Sequence, residues 1–118
     1  MKKTLLFVLA LAVIPVGVDA QGTELAQLRA LAEQGNAVAQ NNLGLMYAEG
    51  RGVPQNYLEA AKWCRMASEQ GVTYAQEQLG HMYYRGQGVP QDYVQAHMWL
   101  NLAALRPSPA DAKLVVQM

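Results

Sequence analysis

The chain has 118 residues, with nine Lys or Arg against nine Asp or Glu and a formal net charge of zero. A balance this even carries no electrostatic footprint for nucleic acid or an anionic membrane. Cys64, the lone cysteine, cannot make a disulfide within the chain, so a domain this small must gain its stability from packing.

The first element reads as an export signal. Lys2 and Lys3 precede an unbroken apolar run from Leu5 to Ile14, which Pro15 and Gly17 end. The run is shorter than the roughly 20 apolar residues a membrane span needs, and Val18-Asp19-Ala20 offers a signal-peptidase site. Residues 1–20 are predicted to be a cleaved secretory signal. The mature chain then starts at Gln21, in the periplasm or secreted, with no membrane attachment after cleavage. Within 21–35, Thr23 to Gln34 reads as a single capping helix closed by Gly35.

From Gly35 onward the chain repeats itself with a period of 36 residues. Leu43, Gly44, Tyr47, Gly50, Gly52 and Trp63 recur as Leu79, Gly80, Tyr83, Gly86, Gly88 and Trp99, together with the string Val53-Pro54-Gln55 as Val89-Pro90-Gln91. Fixed-period self-similarity that includes Trp and Tyr marks a repeat architecture rather than biased composition. Each unit reads as two helices. Ala39, Leu43 and Tyr47 share one helical face, and Ala60, Trp63 and Ala67 share another. Small residues at Ala39, Gly44, Ala60 and Ala67 let the two backbones approach, and Tyr47 and Trp63 fill the wider gaps. Between the helices, Gly50 suits the left-handed residue that stops the first, and Pro54 holds the link stiff. Asn56 with Glu59, and Asp92 with Gln95, read as capping boxes that open the second helices.

The predicted fold class is therefore all-α: an α/α solenoid of stacked helix–turn–helix units spanning 21–118, with units at 36–71 and 72–107. Ser108-Pro109-Ala110-Asp111 reads as a further helix start, which makes 108–118 a partial C-terminal cap with an apolar face for the last unit.

The strings AQNNLGLMYAEGRGVPQNYLEAAKWCRMASEQG and AQEQLGHMYYRGQGVPQDYVQAHMWLNLAA resemble Sel1-like repeats, relatives of the tetratricopeptide repeat. The resemblance implies a superhelical solenoid whose concave face binds proteins or peptides and scaffolds complexes, in a family whose bacterial members are often exported. It also brings an enzyme alternative, because cysteine-rich bacterial members bind penicillin and are assigned weak β-lactamase activity. Those members carry paired cysteines in each repeat. This chain has Cys64 alone and no Ser-x-x-Lys, since Ser68 and Ser108 are followed three residues later by Gly71 and Asp111.

No catalytic constellation, metal site or cofactor motif is expected. The Gly-x-Gly pairs lack the Gly-Lys-Ser/Thr of a phosphate loop and close a helix instead of opening one. His81 and His97 fall on different helices without acidic partners at ligand spacing. The expected partner is a protein or peptide. With Leu43 at the centre of the buried face, Asn41, Leu45 and Ala48 fall opposite, as do Glu77, His81 and Tyr84 in the next unit. These six positions, where the two units differ in sequence, are the candidate partner-binding patch on the concave face.

Overall fold

The computed structural model describes residues 16–105. Among these the chain is five helices with no strand: α1 (Val16–Glu33), α2 (Ala37–Glu49), α3 (Tyr57–Glu69), α4 (Thr73–Arg85) and α5 (Tyr93–Leu105). α2 with α3, and α4 with α5, are the two units. Most of the predicted export signal and the predicted C-terminal helix at 108–118 lie outside the described residues. α1 begins at Val16, ahead of the expected Thr23. No proline lies between Val16 and Glu33 to interrupt the helix.

The repeated loop does the same mechanical work twice. α2 ends on Gly50, whose left-handed backbone (φ 69°) lets its N–H donate to the Met46 carbonyl; Gly86 (φ 70°) does the same with Met82. The chain then turns back. Asn56 N–H donates to the Tyr47 carbonyl and Asp92 N–H to that of Tyr83, each at 2.9 Å. The recurrent glutamine closes the turn from the side, with Gln55 Nε2 on Ala48 O and Gln91 Nε2 on Tyr84 O, both 2.9 Å.

The helix caps are present, but the boxes close from one side only. The Asn56 side chain accepts from Glu59 N, and Asp92 Oδ1 accepts from Val94 N and Gln95 N. The Glu59 carboxylate does not return to Asn56, because that N–H is already held by Tyr47 O; it accepts from Trp63 Nε1 at 3.2 Å instead. A residue expected to serve the backbone thus anchors the largest core side chain.

Within a unit the helices touch where glycine leaves room. A Cβ on Gly44 would lie 2.7 Å from Cys64 Sγ and 3.3 Å from Ala60 O. On Gly80 it would lie 2.7 Å from Leu100 Cγ and 3.2 Å from Ala96 O. Two cores result. Leu43, Tyr47, Ala60 and Trp63 form the first, joined by Ala32 of α1 and Met82 of α4. Leu79, Tyr83, Ala96 and Trp99 form the second, and Val89 packs against both. Leu43 and Leu79 are fully buried, each contributing about 2 kcal/mol of apolar transfer free energy.

Unit-to-unit joints repeat as well. Gln40 Nε2 donates to Ala32 O at 3.0 Å, and Gln76 Nε2 donates to Ser68 O at 3.1 Å. Arg29 donates to the Tyr47 hydroxyl and Arg65 to that of Tyr83, with the guanidinium carbons 5.8 and 5.5 Å from the ring centres. α1 therefore plays toward α2 the part that α3 plays toward α4, and stands in the place of a second helix. The Tyr47 hydrogen bond also holds the Arg29 pKa above its ordinary value.

Candidate binding surface

The two units share a sequence pattern but not an exposure pattern. Ala61 is 4% exposed, whereas its counterpart His97 is open to solvent. Ala48 and Tyr57 are half-buried, whereas Tyr84 and Tyr93 are 57% and 61% exposed. The covered positions of the first unit are those on which the second unit sits. Gly88 of the second loop lies against the Tyr57 carbonyl, and Met82 enters the first core, against which Ala48 also packs.

This divides the six residues expected to form one patch. Asn41, Leu45 and Ala48 are half-buried, and Asn41 Oδ1 is shielded from solvent without a hydrogen-bond partner. Glu77, His81 and Tyr84 are exposed on the second unit, where the Tyr84 and Tyr93 ring centres lie 5.2 Å apart with the planes tilted by 53°. Helical periodicity carries no information on the neighbouring unit, whose Met82 enters the core against which Ala48 packs.

A different concavity lies at the other end. A cleft of ≈ 920 Å³ opens between α1, α2 and the first loop. Leu25 and Leu28 of α1 and Met46 of α2, all half-buried, give it apolar walls; the exposed side chains of Glu24, Asn42 and Arg51 lie at its polar rim. The cleft exists because the first loop stands away from α1. A Cβ on Gly52 would meet nothing nearer than Met46 Cε at 3.4 Å, whereas its counterpart Gly88 is pressed onto the α3 backbone. Arg51 is held over the rim by Glu49, Nε to Oε2 at 2.7 Å. Sequence reasoning passed over these residues. The available signal was the break in the repeat at α1, where Leu28 and Leu31 stand in place of Cys64 and Ala67.

Reactive side chains do not converge. His81 and His97 are both exposed, and no group of three His, Cys, Asp or Glu able to hold a metal occurs among the described residues. Cys64 is 1% exposed, and burial pushes its thiol up to about 11, so it is not a thiolate at neutral pH. Trp63 and Trp99 are core residues, 3% and 8% exposed.

A family model for the Sel1 repeat matches twice, over residues 37–72 and 73–108. Among solved structures, a Sel1 repeat protein from Oxalobacter formigenes is 34% identical with a TM-score of 0.68, over 70% of this chain and 63% of that protein. A protective antigen present in uropathogenic Escherichia coli strains, displaying an SLR fold, is 44% identical with a TM-score of 0.65. That match covers 66% of this chain and 17% of the antigen, so the chain spans less than two thirds of either neighbour. No match was found among curated proteins.

Proposed function

This chain belongs to the Sel1 repeat family, whose members generally act as non-enzymatic protein-interaction scaffolds, and we propose that it binds a short peptide of a partner protein in the cleft between α1 and the first unit. The cleft itself carries this reading: ≈ 920 Å³ of open space with Leu25, Leu28 and Met46 on its walls and groups of both charge signs at its rim. The volume lies within the roughly 300–1,000 Å³ of ordinary ligand sites. An apolar side chain of the peptide fills the floor and supplies most of the free energy. Glu24, Asn42 and Arg51 set its orientation, since exposed charges contribute little affinity.

Export goes with this reading. The Lys2-Lys3 start, the apolar run and Val18-Asp19-Ala20 support a cleaved signal and a periplasmic or secreted protein. Cleavage after Ala20 leaves every lining residue of the cleft in the mature chain. The β-lactam alternative gains nothing from the described residues: Ser68 is 2% exposed and Cys64 stands alone.

The test selects peptides against the purified chain by display and measures their affinity for variants. Leu28→Glu and Met46→Glu are each expected to weaken binding at least tenfold with helical circular dichroism retained, and Asn42→Arg to change peptide preference. Tyr84→Glu, on the far face, should leave affinity unchanged. Selected peptides that bind both cleft variants as tightly as wild type, and lose affinity to Tyr84→Glu, refute the cleft.

A further inference from the structure

α5 carries no Asp, Glu, Lys or Arg in its 13 residues. A helix without a charged face is ordinarily covered on every side. α5 is not. Val94 is 79% exposed, Met98 46% and Leu105 80%, and Asn101 is exposed beside them. The four residues recur at helical spacing, so they form one stripe along the helix.

Stacking of units does not account for this stripe. Its apolar members stand where α3 has Leu58, Lys62 and Glu69. Those three remain exposed although the second unit is stacked on α3. A further helix stacked on α5 in the same way would leave Val94, Met98 and Leu105 open too. α3 meets water there with two charges of opposite sign, and α5 has an apolar side chain in place of each. Contiguous exposed apolar surface of this kind marks an interaction site.

We propose that the α5 stripe pairs with the same stripe of a second copy of this chain, antiparallel, about a two-fold axis between Met98 and Asn101. A two-fold interface has to be complementary to itself. An uncharged face meets this condition because it brings no like charges together, and the cores of homodimer interfaces are depleted of charge. The spacing fits as well. Reversal sets Val94 against the partner's Leu105 and Met98 against the partner's Asn101. The Asn101 amide, the one polar side chain in the stripe, holds both donors and an acceptor and so can bond its own twin near the axis. A lipid surface is the poorer occupant, because an interfacial helix carries Lys or Arg on its polar face and α5 has neither. α5 is about 20 Å long, so the interface is small and the association depends on concentration. The pairing does not rest on the peptide cleft, which α1, α2 and the first loop form.

Analytical ultracentrifugation of the exported form, from Gln21 onward, over a range of concentrations tests the pairing. A monomer–dimer equilibrium with Kd below about 1 mM is expected. Met98→Lys and Leu105→Glu give α5 the residues that α3 already carries at those places. Each should weaken the dimer at least tenfold with helical circular dichroism retained. Asn101→Asp, which sets two carboxylates beside the axis, should do the same, and high salt should restore part of the loss. Leu58→Glu, at the same register on α3, should leave the equilibrium unchanged. A chain still monomeric at about 1 mM overturns the proposal. So does a dimer that survives Met98→Lys and Leu105→Glu, or an Asn101→Asp dimer as tight as wild type. A dimer lost to Tyr84→Glu instead also overturns it, and moves the contact to the end of the solenoid.

Discussion

Gly52 and Gly88 occupy the same place in the repeated loop, with φ of 72° and 74°, yet alanine should be far costlier at the second. Both substitutions force an L residue into the left-handed region, at about 1–2 kcal/mol. At Gly52 that is nearly the whole cost, because the new methyl meets only the flexible end of Met46 at 3.4 Å. At Gly88 the methyl would run into the Tyr57 carbonyl, 2.5 Å from its carbon and 3.1 Å from Leu58 N. Those are backbone atoms at the start of a helix and cannot rotate away. Overpacking of this kind adds about 1–3 kcal/mol, for a total of about 2–5 kcal/mol. A difference of about 2 kcal/mol between the variants is roughly 10 °C in melting temperature for a domain of this size. Thermal unfolding followed by circular dichroism, with urea titration to convert midpoints into free energies, measures it directly. Equal destabilisation by the two substitutions would refute the seating of the second loop on α3, and with it the stacking assigned to the two units.

Three further outcomes follow from the core and the helix ends. Trp63→Ala should cost about 3–5 kcal/mol and leave the Glu59 carboxylate without its indole donor, to be read from urea unfolding. Gly50→Val and Gly86→Val should each lose more than about 1 kcal/mol, because both glycines stop their helix in the left-handed region; melting curves equal to wild type would count against that role. The Cys64 thiol is raised from 9.0 to about 11 by burial, so the unfolded chain ionises first and stability falls as pH climbs from about 9 to about 11, by up to about 2–3 kcal/mol relative to Cys64→Leu. Leucine is the comparison of choice because Leu100 already packs against Gly80 at the equivalent place; parallel pH profiles for the two proteins would contradict the buried thiol.

What the sequence by itself determined was local in origin. A 3.6-residue period sets which side chains face the partner helix a few residues away. Asn56 and Asp92 cap through their own backbone neighbours, and Gly50 and Gly86 end helices by a conformation that costs glycine little. The helix pairs, the loop between them and the buried Leu43, Trp63, Leu79 and Trp99 were legible for that reason. The tertiary structure decided everything that depends on a neighbour. Ala48 and Tyr84 have the same place in the repeat, yet among the described residues one is half-buried beside the following unit and the other is exposed. The Glu59 carboxylate turned from the backbone to Trp63 because Tyr47, across the loop, had already taken the Asn56 N–H. The cleft arises from a separation between α1 and the first loop that no local pattern encodes. Helical periodicity constrains a side chain against its own partner helix, whereas burial between units depends on whether another element is stacked there and how closely its backbone approaches.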